Sequence, residues 1–502
     1  MAQGQPRRDR SVGAGTAETS ATGAAETAKR PEAAAEDKPI VTHHKITVRG
    51  KTLSYTANTG FLPIKDEQGH VEAQMFYVAY TLDGSGPKRP LTFAFNGGPG
   101  SATIWLHMGC FGPKRVKMRP NGFMPPPPFE WEDNQNTILD KTDLVFVDAI
   151  GTGYSRATTS EMGKKFWSVS GDIAAFGEFI RLYLQKNSRW TSPVYLAGES
   201  YGTTRAAGLS GYLVDHGIAL NGIVLISTIL NFETISFGIG NDLPFILYLP
   251  TYAATAAFHH KLAPELEKDP EALRAEVEKF AAGEYTVALQ KGDALDGAAR
   301  DSVIDHLARY TGLSKQYIAR CNLRVDLSHF DTELLRDETK IIGRLDGRFT
   351  AFNETATQQA PEFDPSEAAI RPPYTSVFGD YVKEELGFQS DLVYYVLGGG
   401  IGRWDFDSAS GRSGFADTSQ ALRRAFAKNP FLQVYIAEGY YDAATPYFAV
   451  DYTFNHMGLT AEAHKNVSRG HFNAGHMVYI DNDSMAKLKE DVDGLFDRTL
   501  TK

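Results

Sequence analysis

"PVYLAGESYGTTRAAGLSGYLV", Pro193 to Val214, decides the fold. A short apolar run, Val194 to Ala197, leads into Gly198-Glu199-Ser200-Tyr201-Gly202 and then into a stretch of small and apolar residues with helical character. This is the strand-turn-helix context of a nucleophile elbow, in which glycines on both sides of a serine permit a sharp turn and a close helix-sheet approach. Ser200 is therefore the candidate nucleophile. Glu199 poses the difficulty, because a charged acid beside the nucleophile opposes a developing oxyanion. Read alone, it is a solvated acid at a helix start, where the helix dipole favours negative charge.

Around the elbow, "PLTFAFNGG", "TDLVFVDAIG", "NGIVLIST" and "FLQVYIAEG" are continuous apolar runs ending in glycine or small residues. That is the pattern of strands covered on both faces. "HKITVRGKTLSYTA" and "VEAQMFYVAYTL" have the texture of antiparallel strands. Between them, "DIAAFGEFIRLYLQ" places Ile173, Phe176 and Ile180 on one helical face, with Asp172 as its cap. Strands alternating with helices imply an α/β protein with a mostly parallel sheet and helices on both faces. The alternation stops at about 243 and resumes at about 397. The reading is an α/β-hydrolase core over 43–242 and 397–500, with a largely helical cap insertion over 243–396. "PFILYLPTYAATAAF" in that insertion is broken by two prolines and is too short to span a membrane.

Residues 1–42 are rich in Ala, Gly, Thr, Glu and Pro, and such a segment buries too little apolar surface to offset its ordering entropy; a disordered tail is expected. It lacks an apolar core of roughly 7 to 15 residues, so it is no intact signal peptide. As numbered, the chain reads as cytoplasmic, or as periplasmic or secreted if a leader is missing. A chain of 502 residues, 42% hydrophobic, buries a large core. A net charge of −10 without basic runs argues against nucleic acid or a membrane surface as partner. Cys110 and Cys321 support neither a disulfide framework nor a zinc site, although they could pair with each other, and the His43-His44 and His259-His260 doublets lack metal-ligand spacing. No metal and no cofactor are expected.

A serine hydroxyl needs a base to take its proton and a third group to orient that base, and on this fold the partners follow in the order Ser, Asp, His. Asp442, just beyond the strand "LQVYIAEG", fits the second position. His464, His471 and His476 all fit the third, and spacing does not choose among them.

Five ordered blocks do choose. "FNGGPGSAT" (95–103), "DAIGTGYS" (148–155), "GESYG" (198–202), "GYYDAATP" (439–446) and "AGHMV" (474–478) resemble, in order, the signatures of the serine carboxypeptidase family. The resemblance implies Ser200 as nucleophile, His476 as base and then acid, and Asp442 as its orienter. It implies an oxyanion hole made by the N–H groups of Gly98 and Tyr201. It also makes Asn96 and Glu199 the binders of the substrate's terminal carboxylate, whereas the residues alone leave Asn96 equally a turn residue. Under that reading Glu199 is useful because it is protonated: a neutral carboxyl donates a hydrogen bond to a carboxylate that an ionised one repels.

Two departures stand out. The family's Cys-Ser-Ser after Asn-Gly-Gly-Pro-Gly is Ser101-Ala102-Thr103 here, and where many relatives carry Glu-x-Gly-Pro this chain has Cys110-Phe111-Gly112-Pro113. The second acid of the carboxylate network is missing, so looser recognition of a free C-terminus is expected unless another polar group substitutes for it. The functional expectation is a hydrolase releasing C-terminal residues from peptides through an acyl-enzyme. The alternatives are an esterase or acyltransferase using the same triad, and a catalytically silent peptide-binding protein.

Overall fold

The structure is a computed structural model and describes residues 38–86, 88–411 and 413–500. Most of the tail expected over 1–42 lies outside the described residues. Strand β1 (Ile40–Val48) begins inside that stretch, because it pairs along its whole length with β2 (Lys51–Lys65). β3 (Val71–Leu82) continues the antiparallel part. β4 (Leu91–Phe95), β5 (Asp143–Val147), β6 (Val194–Ser200), β7 (Gly222–Thr228), β8 (Gln433–Gly439) and β9 (Val467–Phe472) complete one large sheet. Its order is β1-β2-β3-β5-β4-β6-β7-β8-β9, with a two-strand stub, Arg156–Ala157, also pairing β3. From β5 to β9 every neighbouring pair is parallel.

The apolar runs are explained by burial on both faces. Along β7, Ile223 and Leu225 join one core while Val224 and Ile226 join the other, as the two-residue period of a strand requires. One face is covered by helices Val169–Lys186, Tyr201–Asp215 and Ser419–Lys428, through residues such as Phe176, Leu209 and Leu422. The other is covered by Asn482–Leu500, through Leu488, Val492 and Leu495.

Two sequence expectations are corrected. Helix Val169–Lys186 is capped by Ser168, whose hydroxyl accepts from the Gly171 N–H; Asp172 sits inside the first turn, where its carboxylate is taken by buried Arg205 at 2.7 Å. Pro244 and Pro250 do not break the apolar stretch, which forms one helix, Leu243–Phe258. Pro244 lies in the first turn, where an N–H has no intrahelical partner, and burial against a separate apolar cluster holds the helix through Pro250. Within 243–396, the first part builds that separate cluster, and helix Pro365–Glu384 sends Tyr374, Val377 and Phe378 into the core beneath the sheet. Cys110 and Cys321 are both free thiols. Among the described residues, no helix is long and apolar enough to cross a membrane.

Candidate active site

Parallel strands deliver their carboxyl ends to one edge of the sheet, and the candidate residues sit on that edge. Asn96 follows β4, Ser200 ends β6, Asp442 lies three residues past β8 and His476 four past β9. Every residue of β6 except Ser200 is fully buried. Ser200 has φ 58° and ψ −132°, a left-handed backbone that costs a non-glycine residue energy and turns its side chain off the strand. The turn exists because backbone packs on backbone. A Cβ on Gly97 would lie 2.4 Å from the Tyr201 nitrogen, and one on Gly198 would lie 2.3 Å from the Gly202 carbonyl oxygen. Tyr201 opens its helix, so its N–H has no intrahelical carbonyl to reach. Gly98, at φ 97°, lies in the facing loop.

Ser200, His476, Glu199, Asn96, Gly97 and Gly98 line one cavity of ≈150 Å³, joined from the insertion by Arg344, Leu345, Glu367 and Ile370. Of the three histidines considered, His476 is the one beside Asp442, with Nδ1 2.7 Å from Oδ2. His464 is on a helix at the surface, and His471 stacks on Tyr440 with burial and nearby Arg469, Arg274 and Lys487 pushing it down to about 4. Asp442 is wholly buried and saturated: Oδ1 accepts the Ala444 and Thr445 N–H groups at 2.8 and 2.9 Å, and Oδ2 accepts the Thr445 hydroxyl at 2.7 Å. Burial opposes a charge on His476, but the Asp442 charge and hydrogen bond, with the charge of Glu199, outweigh it and hold the imidazole above its ordinary value.

Glu199 is buried too, and burial pushes its carboxyl up to about 7, against the pull of His476 and of the Tyr479 hydroxyl that donates to Oε2. Asn96 spends Oδ1 on the Leu106 N–H at 2.9 Å. Its Nδ2 is buried without a hydrogen-bond partner among the described residues and exerts a weaker pull on the same carboxylate.

Several contributors were not read from the sequence. Thr445 lies within 3.2 Å of His476 Nδ1 as well as bonding Asp442, and its spacing of three from Asp442 is the only local signal. Asp346 and Arg348, a buried pair at 2.7 Å in the insertion, grip the loop that carries His476: Asp346 accepts the Gly475 N–H at 3.1 Å and Arg348 donates to the Asn473 carbonyl at 2.9 Å. The His476 N–H itself donates to the Leu345 carbonyl at 2.6 Å. Arg205, fully buried, donates to the Asn96 carbonyl at 2.7 Å from behind the elbow. Among the described residues, Glu438, Asp451 and His471 form a group with metal-ligand spacing, but Arg469 already pairs with Asp451, and Arg274 and Lys487 also bear on His471.

The family model described as serine carboxypeptidase matches residues 48–276, a stretch that contains Asn96, Gly98, Glu199, Ser200 and Tyr201 and ends before Asp442 and His476. Serine carboxypeptidase-like 50 of Arabidopsis thaliana is 27% identical over 264 residues, 52% of this chain and 53% of that protein, so the match spans about half the length of the curated relative. Solved structures similar to this chain include a thermostable carboxyl esterase from Bacillus coagulans, at 12% identity and TM-score 0.36 over 87% of this chain and 99% of that one. A putative lipase from Sulfolobus solfataricus stands at 11% identity and TM-score 0.36 over 91% and 98%. Residues 48–276 are thus similar to serine carboxypeptidases, and the elbow and the mostly parallel sheet with helices on both faces have the architecture of an α/β-hydrolase fold.

Proposed function

We propose that this protein releases C-terminal residues from peptides through an acyl-enzyme on Ser200. The observation that carries the reading is a buried carboxyl, Glu199, sharing a cavity with Ser200 and held up to about 7, with the unspent Nδ2 of Asn96 nearby.

With Nδ1 bonded to Asp442, Nε2 is the ring nitrogen left to exchange a proton with Ser200. His476 takes the hydroxyl proton as Oγ attacks the scissile carbonyl. The oxygen that gains charge is met by the N–H groups of Gly98 and Tyr201. The imidazolium then gives its proton to the departing amine, and water repeats the sequence on the acyl-enzyme. Asn96 Nδ2 and the protonated Glu199 hold the terminal carboxylate.

The pH dependence follows from the signs. Below about 7 Glu199 keeps its proton and donates to the substrate; above, it is ionised and repels it. His476, held above its ordinary value, is lost as a base when pH falls through that raised value. Turnover of free-acid peptides, as kcat/KM, is bell-shaped and peaks where these two limbs overlap, and Glu199→Gln flattens the alkaline limb.

The test pairs covalent labelling by a serine-directed phosphonate with release kinetics on one peptide presented as acid, amide and ester, with and without an alcohol acceptor. Ser200→Ala abolishes labelling and lowers turnover by several orders of magnitude. Ester turnover with transfer to the alcohol and no peptide release would replace this reading with the acyltransferase one, and labelling without turnover of any substrate would replace it with the binding one.

A further inference from the structure

Relatives that carry a glutamate where this chain has Cys110 possess a second carboxyl to share a proton with the first. Cys110 does not take that part. Its thiol is fully buried in the wide turn Leu106–Phe111, and burial, with the charge of Glu199, pushes it well above its ordinary value, so it stays a neutral and weak hydrogen-bonding group.

The partner of Glu199 comes instead from beyond His476. Tyr479, three residues further along the chain in the short turn Val478–Ile480, is wholly buried and donates its hydroxyl to Glu199 Oε2. The space it occupies is made by Gly109, next to Cys110. A Cβ on Gly109 would lie 2.3 Å from the Tyr374 hydroxyl and 2.7 Å from Tyr479 Cε2. One small residue beside the altered position thus admits the tyrosine ring.

Resting on the carboxylate-binding reading given above, we propose that Tyr479 is a positioning residue in the place of the second acid: its hydroxyl fixes Glu199 for the substrate's terminal carboxylate, and the proton used in recognition is Glu199's own.

The chemistry differs from that of a paired carboxyl. Two acids can share one proton, and the pair holds it to a raised pH. A tyrosine hydroxyl only donates here, since burial and the neighbouring Glu199, Tyr374 and Cys110 keep it protonated well above its ordinary range. A donor to a carboxylate favours the ionised form, so Tyr479 restrains the rise that burial imposes. The other groups acting on Glu199 are His476 and, more weakly, Asn96, which also favour the ionised form, and Asp442, which opposes it; Cys110 and Tyr374 face it as neutral groups, and Arg344 lines the same cavity.

The decisive variant is Tyr479→Phe, which removes one oxygen and keeps the ring. The protonation of Glu199 is read directly as its protonated-carboxyl infrared band over pH, assigned by the band's loss in Glu199→Gln. In Tyr479→Phe its midpoint moves up by about one to two pH units, the worth of one hydrogen bond to a charged group. In the same variant KM for the free-acid peptide rises about tenfold at low pH, while kcat/KM for the corresponding amide is unchanged. Cys110→Ala leaves the infrared midpoint where it was, and a substantial downward movement there would return the second-acid role to the thiol and overturn the proposal. A midpoint unmoved or lowered in Tyr479→Phe overturns it as well, as does an unchanged KM for the acid. If the unaltered protein turns over acid and amide alike, the carboxylate reading itself falls, and the infrared band shows separately whether Tyr479 still governs the Glu199 proton.

Discussion

Ser200 and His476, the candidate nucleophile and base, meet in one cavity but are held there by different means. Ser200 is held by exclusion: the loop at Gly97 lies on the backbone of Tyr201 and Gly202, and Gly198 lies on the Gly202 carbonyl, so no side chain fits between them. His476 is held by polar contacts from elsewhere in the chain. Its N–H is taken by Leu345, its carbonyl accepts the Ser227 hydroxyl at 2.5 Å, and its neighbour Gly475 is bound by Asp346, 129 residues distant. A steric mould tolerates no added atom but has few polar parts to lose. A polar clamp tolerates atoms and fails when a partner is removed. The insertion therefore does more than line the cavity, because it fixes the position of His476.

The largest effect comes from the base itself. His476→Ala lowers turnover by about 10⁴- to 10⁶-fold, since triad members act as a unit, while His471→Ala leaves it near the unaltered value. Steady-state kinetics on one peptide checks both, and reversed effects would move the base to His471.

On the mould side, Gly97→Ala forces a methyl against backbone that cannot step aside. It costs about 1–3 kcal/mol of stability in denaturant titration, and misplacement of the elbow lowers turnover by about 10²-fold. A fully active Gly97→Ala would show that the loop has room to retreat.

On the clamp side, Arg348→Met leaves Asp346 as a buried charge without its partner, at a cost of about 3–5 kcal/mol. Adding Asp346→Asn to Arg348→Met removes the second charge as well and keeps an acceptor for Gly475, so the double variant recovers part of the activity that Arg348→Met loses. Equal losses in the two variants would mean that the pair serves the insertion rather than the base loop.

The smallest effect falls on the hold on Asp442. Thr445→Val removes one of the donors to Asp442 and lowers kcat by about tenfold without measurable loss of folded protein. No change would assign the hold on Asp442 to the backbone donors alone.

The elbow and the strands could be read directly because their causes are local. Glycine flanking Ser200, apolar runs of strand length and small residues in the following helix each act within a few positions of the chain. The same reading erred on Asp172 because an N-cap and a buried ion pair draw on the same residue type, and only the arrival of Arg205 decides between them. It erred on Pro250 because burial of a whole helix outweighs one lost hydrogen bond. His464, His471 and His476 were equivalent by spacing and were separated first by resemblance; geometry separates them because β9 and the insertion bring one imidazole, and not the others, against Asp442. Tyr479 and Thr445 went unread, since a tyrosine or threonine acquires a role from what it faces. The residue types at the cavity and their order were thus set by the chain alone. Which carboxyl is buried, which donor reaches it and what grips His476 were decided by tertiary packing, because desolvation and hydrogen bonding depend on groups a hundred or more residues apart.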